Sequence, residues 1–345
     1  MKTTHRAGAP AFLAELLGTR SWNQLRGAVA LPIELPEAAP GGAAHTEDAL
    51  DRGQAAMALG LVLLADLCER VPFARAYTQE CARSGRPLVF DHGAMRTVAI
   101  EAGELPAGRQ AVARLLAPFG YEQTKVYPLE RLGMTGYVYT HRDFPEELPQ
   151  YFVSELDPRR FSPAFQAAAT ELMATTVDPL PAWASSQLER LHRTGELPLD
   201  AAVQLIHAVA ASFDRHHRDV TVQEYELFRA ESAEMAWIAT EGHAFNHITD
   251  RVADVPAVAA QQRALGRPVK DEVEVSATGR VVQTAFRAAE VERLMLDGDR
   301  FVARRVPGSF LEFISRAPLA DGSLDLAFDA QNAQAIFKMT DGAAA

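Results

Sequence analysis

The run FDHGAMRTV, residues 90–98, sets the reading of the whole chain. It is a short apolar segment of strand character, entered through Leu88 and Val89, with His92 near its start. Two later runs share that character: AFNHIT, residues 244–249, carries His247, and GSFLEFISR, residues 308–316, carries Glu312. Two imidazoles and one carboxylate are the inventory of a facial triad, which leaves positions on Fe(II) open for a substrate and dioxygen. An oxygenase is the reading this inventory favours.

Working outward from His92, the pattern gives a helical stretch over 107–119 and alternating segments near Lys125, over 136–140 and over 151–156. This is one βαβββ unit. After His247 the order recurs, with a helical segment over 255–265 and strands over 273–275, 281–286, 301–306 and 309–315. The second unit therefore begins at a histidine and ends at a glutamate. Two such units side by side predict an α+β fold in which two βαβββ modules form a half-barrel metal cavity, with an inserted helical layer and N-terminal helices.

Residues 162–240 are Ala-, Leu- and Glu-rich at helical spacing, broken at Pro179, Pro181, Gly195 and Pro198, and form the expected insertion. Residues 46–84 read as helical, capped by Thr46 and stopped by Gly85 and Pro87. The Pro-, Gly- and Ala-rich stretch before them makes residues 1–45 an N-terminal arm. The expected organisation is thus that arm and a single catalytic domain over 46–345, with a first module over about 86–160, the helical insertion over about 161–240 and a second module over about 241–342.

Strand alternation puts Glu312 on one face with Phe310 and Ile314, opposite Leu311 and Phe313. A carboxylate buried among apolar side chains needs a partner, and a metal supplies one. The other histidines fit less well. Gly242 and Asn246 argue against a helix joining His243 to His247, so His243 reads as a neighbour of the site. His216 and His217, in DRHHRD, read as a solvated loop, and His141 and Glu155 as structural groups. Asp91 is a carboxylate next to His92, although adjacent strand residues point to opposite faces.

The formal charge of −11, from 34 Lys and Arg against 45 Asp and Glu, argues against broad binding to nucleic acid or anionic membranes. An anionic substrate would need local arginines. The two cysteines, Cys68 and Cys81, are not spaced as metal ligands and suit a reducing cytoplasm. The longest apolar stretch, residues 57–65, is too short to span a bilayer, and no signal peptide is read.

FDHGAMRTV, YFVSEL, GHAFNHITDRV, GRPVKDEVEVSATGRVVQTAFRA, VPGSFLEFISR and FDAQNAQAIFKMT, in this order, resemble the 2-oxoadipate dioxygenase/decarboxylase family, also called hydroxyglutarate synthase. The resemblance spans roughly residues 50–342. It implies a vicinal-oxygen-chelate-like fold and a non-haem Fe(II) held by His92, His247 and Glu312. It also implies conversion of 2-oxoadipate and O2 to 2-hydroxyglutarate and CO2, a step of lysine catabolism. A 2-oxo acid can chelate Fe(II) through its carboxylate and keto oxygens and leave one position for O2.

Arg96, four residues after His92 and on the same strand face, matches an arginine that reads a substrate carboxylate in that family. Gln283 aligns with a position that bonds the oxo acid. Arg316, four residues after Glu312, could orient that ligand or hold an acidic substrate. Gln331, Asn332 and Ala333 depart from the family pattern of the last segment. A non-oxidative, metal-dependent lyase or isomerase is the alternative on the same fold, and a non-catalytic small-molecule binder is a third. Oxygen consumption separates the dioxygenase from the lyase or isomerase, and retention of all three ligands argues against the binder, which needs no open metal position.

Overall fold

The structure, a computed structural model, describes residues 11–36 and 49–329. Thr46, read as a cap, and Gln331, Asn332 and Ala333 lie outside the described residues. Part of the stretch read as an arm is helix α1 (Ala11–Leu25), which buries Phe12, Leu13, Leu16, Trp22 and Leu25. Strand β1 (Ala49–Asp51) leads into α2 (Arg52–Arg70), which Asp51 caps by accepting from the Gln54 N–H at 2.8 Å. The single helical stretch expected up to Ser84 is two helices. Pro72 lacks the N–H that α2 would need to continue, and it opens α3 (Pro72–Ser84) instead.

The first unit follows as β2 (Phe90–Val98), α4 (Arg109–Leu116), β3 (Tyr121–Leu129), β4 (Met134–His141) and β5 (Gln150–Leu156). Helices α5 (Pro163–Met173), α6 (Ala182–Thr194), α7 (Leu199–Ala211), α8 (Val222–Glu231) and α9 (Ala233–Glu241) fill the chain between the units, with β6 (Glu196–Pro198) pairing with β1. The second unit is β7 (His247–Arg251), α10 (Val255–Ala264), β8 (Glu274–Val275), β9 (Val281–Ala285) and β12 (Phe310–Arg316). Between its last two strands stand β10 (Glu290–Asp297) and β11 (Arg300–Pro307), which pair only with each other. The run over 301–306, expected in the main sheet, belongs to this separate hairpin: a two-stranded ribbon shows the same alternation as a sheet strand.

The eight-stranded sheet has the order β3-β4-β5-β2-β7-β12-β9-β8. Each unit thus places its first strand beside its last, in parallel, and the two first strands meet antiparallel at the centre. The sheet curls into a half-barrel. Its outer face, with Met95, Tyr151, Val153, Ile248, Leu311 and Phe313, packs on α1–α3, α6, α7 and α10. The inner face, with Ala94, Val138, Phe152, Ala285 and Phe310, packs partly on α5, α8 and α9. Gly93 is needed at the centre of the sheet, because a Cβ there would lie 2.5 Å from the Phe245 ring. Among the described residues no helix is long and apolar enough to cross a membrane.

Candidate metal centre

Backbone pairing alone brings the three predicted donors together. Thr249 of β7 is opposite both His92 of β2 and Glu312 of β12, and His247 is opposite Ala94 and Phe310. Residues in register share a face, so His92, His247 and Glu312 all project from the inner face. Their ligand atoms lie within 4.8 Å of one another, and all three side chains are buried. Nε2 of His92 and Nε2 of His247 lie 3.2 and 3.3 Å from the same oxygen, Oε2 of Glu312. This cluster could hold a metal ion.

The surroundings prepare the donors for a cation. Burial opposes charge on Glu312, yet hydrogen bonds with His247 and His92 hold it well below the usual carboxylate range. Thr249 Oγ1 donates to Glu312 Oε2 at 2.7 Å and lies 3.1 Å from His92 Nε2. Asp91 Oδ1 lies 2.9 Å from Nδ1 of His92, the arrangement in which a carboxylate accepts the Nδ1 proton and leaves Nε2 for a metal. Alternation predicts Asp91 on the other face, but the β2–β7 register shifts between Phe90 and His92. That bulge turns Asp91 beside the ring.

Asn246 repeats the device, with its side-chain amide 3.1 Å from Nδ1 of His247. Its Oδ1 is buried without a partner, and a half-turn of the amide would let that oxygen accept the Nδ1 proton. The two histidines nevertheless differ. Burial works against charge on both, but the bonds from Asp91 and Glu312 raise the pKa of His92 above its ordinary value. For His247 burial prevails, and its pKa is lowered.

Arg316 is committed to Asp91, with Nε and Nη2 donating at 3.0 and 2.9 Å, and its Nη1 donates to the carbonyls of Asp325 and Ala327. It reaches His92 through Asp91 rather than orienting Glu312. Arg96 is fully buried on the same inner face, its Nη2 2.8 Å from Glu234 Oε2 and its guanidinium 4.7 Å from the Trp237 ring centre. Gln283 is buried opposite Ile314, one step along β12 from the face position of Glu312. Phe328 closes one side, with its ring centre 4.8 Å from that of His92 and 5.0 Å from that of Phe152.

The other candidates have structural partners. His141 Nδ1 accepts the N–H groups of Asp143 and Phe144, and Glu155 accepts the Arg109 N–H at the start of α4. His216 bonds the Ala211 carbonyl. His217, read as solvated, is buried against the carbonyls of Arg218 and Ile238 because α9 packs over it. His243 is buried four residues before His247, 3.4 Å from Thr97 Oγ1.

Against known families, the model of the 2-oxoadipate dioxygenase/decarboxylase family matches residues 64–339. The chain belongs to that family. This 2-oxoadipate dioxygenase/decarboxylase family member is 45% identical to a glyoxalase-superfamily protein from Ralstonia eutropha JMP134, with a TM-score of 0.86 over 93% of this chain and 98% of that one. The hydroxyglutarate synthase of Oryza sativa, in complex with 2-oxoadipate, matches at 20% identity and a TM-score of 0.65 over 88% and 98% of the two chains. That of Pseudomonas putida, also with 2-oxoadipate, matches at 20% identity and a TM-score of 0.55 over 84% and 73%. No curated protein matches the chain. The expected half-barrel fold and the family both stand.

Sequence reasoning passed over Thr249, Asn246, Glu234 and Phe328. One signal was available for this 2-oxoadipate dioxygenase/decarboxylase family member: each histidine of the cluster directly follows an Asp or Asn, Asp91–His92 and Asn246–His247.

Proposed function

We propose that the protein is a non-haem Fe(II) dioxygenase that decarboxylates and hydroxylates a 2-oxo acid, converting 2-oxoadipate and O2 to 2-hydroxyglutarate and CO2. The convergence of His92 Nε2, His247 Nε2 and Glu312 Oε2 on one buried point carries the proposal. Two neutral imidazoles and an ionised carboxylate fit Fe(II), which when bound would supply electrons and open positions for the oxo acid and O2. Asp91 and Asn246 keep Nε2 of each histidine toward the metal, and Thr249 orients Glu312. Arg96, beside His247, binds a substrate carboxylate, and Gln283 donates to the oxo acid. Arg316 holds Asp91, while Phe152 and Phe328 exclude water. The hydroxyglutarate synthases with bound 2-oxoadipate support the substrate class. Two buried free thiols, Cys68 and Cys81, fit a reducing cytoplasm.

The balance of the reaction is closed: one oxygen atom of O2 enters the new carboxylate and the other the new hydroxyl, as the old carboxylate leaves as CO2. The test is anaerobic loading with Fe(II), then O2 uptake and CO2 release over a panel of 2-oxo acids. Coupled uptake and release is the expected result. Metal binding with no O2 uptake on any oxo acid would overturn the proposal in favour of a lyase or isomerase.

A further inference from the structure

The β10–β11 hairpin stands apart from the eight-stranded sheet, and its two faces have opposite surroundings. Val291, Met295, Val302 and Val306 share one face and pack into the inner-face core. Arg293, on that face, donates to both carboxylate oxygens of Glu241 at 2.8 and 2.7 Å. The Leu296 N–H donates to the Val220 carbonyl at 3.0 Å. The ribbon is thus tied down through its first face, and its second face is turned to solvent.

That second face is not the polar surface an antiparallel ribbon normally shows to water. Its successive cross-strand rows pair Glu292 with Arg305, Leu294 with Ala303 and Leu296 with Phe301. Leu294 and Phe301 are 56% and 57% exposed, and Ala303 is exposed between them. The charged end of the face is open as well, with Arg305 Nη1 3.3 Å from Glu290 Oε2. Apolar side chains gathered in adjacent rows and bordered by charges are the composition of an interaction site.

We propose that this face docks on the same face of a second copy of the chain, about a two-fold axis that runs along the ribbon. Charge complementarity selects both the occupant and the axis. Such an axis lays β10 of one copy over β11 of the other, so every in-register pair of the hairpin is repeated between the subunits. Glu292 then faces the second copy's Arg305, Leu296 faces the second copy's Phe301, and each contact occurs twice. An axis across the strands would set β10 over β10, where Glu292 meets another glutamate or a leucine. The body of each subunit lies behind the first face of its ribbon, so the two bodies stay on opposite sides of the contact. Eight residues per strand make a ribbon about 26 Å long and two strands wide, which is at the small end of specific interfaces and corresponds to a micromolar dimer.

The test is sedimentation velocity of the full chain over about 1 to 200 μM, with metal binding as the check that each variant is folded. The parent chain should pass from monomer to dimer within that range. Phe301→Asp, which would bury an unpaired charge at the contact, should raise the dissociation constant at least about a hundredfold. Glu292→Arg and Arg305→Glu each make the charged row of one sign and should each weaken self-association about tenfold. Mixed in equal amounts, those two variants should form a heterodimer more tightly than either forms a homodimer, because the row of one is again opposite in sign to that of the other. A parent chain that stays monomeric at the highest concentration would overturn the proposal and leave the face to another segment of the chain or to a different partner. A dimer that survives Phe301→Asp, or a mixture that associates no better than its components, would overturn it too.

Discussion

The two βαβββ units share a topology and differ in what they present at the same places. His92 pairs with Gln150 of the last strand of its unit, and His247 pairs with Phe310 of the last strand of the other. Two residues further along those last strands, the equivalent positions are Phe152 and Glu312. One strand farther out, Gly136 corresponds to Gln283. Gly136 must lack a side chain, since a Cβ there would lie 2.5 Å from the Phe152 ring. The first unit fills with an aromatic ring the place where the second puts a carboxylate and an amide.

Repetition of the fold therefore supplies two histidines, and divergence of the sequence leaves a single carboxylate. The side of the cluster bounded by Phe152 and Phe328 brings no fourth His, Cys, Asp or Glu donor among the described residues, so a metal held there would keep open positions. The Asx–His devices diverge too. Asp91 carries a charge neutralised by Arg316, whereas Asn246 is neutral, and the pKa values of the two histidines move in opposite directions.

The largest contrast is at the paired positions Glu312 and Phe152. Glu312→Ala should abolish metal binding and turnover in a folded chain. Phe152→Ala should retain the metal and cost about 3–5 kcal/mol of stability, as core aromatics do. Metal titration with parallel denaturant melts checks both, and loss of the metal in Phe152→Ala would break the comparison.

Next is the Asx pair. Asp91→Asn leaves the Arg316 guanidinium buried without its carboxylate, which should cost about 3–5 kcal/mol and ten- to a hundredfold in metal affinity. Asn246→Ala, which uncovers no charge, should cost about 1 kcal/mol. Equal losses in the two variants would contradict the asymmetry.

His243 precedes His247 by four residues, where the first unit has buried Leu88 before His92. Burial, helped by the charges of His217, His216 and Arg114, pushes His243 down to about 4. The unfolded chain, near 6.5, takes the proton more readily. Stability is therefore intact above that pH, falls as pH drops toward 4, and levels off below, with a total loss of about 3 kcal/mol. His243→Leu should flatten this limb in melts at pH 7 and pH 4.5. A slope as steep as in the parent chain would rule the account out.

The smallest effect is expected at Thr249, which serves ligands from both units. Thr249→Val should lower metal affinity about tenfold and stability by about 1 kcal/mol. An unchanged metal isotherm would remove Thr249 from the site.

The sequence made much of this legible, because the ligands lie in apolar runs whose period and order identify the strands. His92, His247 and Glu312 needed only face alternation and strand order to converge. The separate β10–β11 hairpin was not legible, because its alternation matches that of a main-sheet strand. Neither was the bulge at Asp91, which inserts one residue without a compositional mark. Arg316 and Asp91 are 225 residues apart, and Arg96 and Glu234 are far apart as well. Such side-chain partners depend on how separate elements pack, which the local pattern of a single chain does not encode.

The central claim, one metal shared between the two units, is tested most directly by Fe(II) titration under anaerobic conditions of the parent chain, His92→Ala and His247→Ala. The account predicts one ion per chain in the parent and none held tightly in either variant. Retention of a full, tightly bound equivalent when one unit has lost its histidine would contradict it.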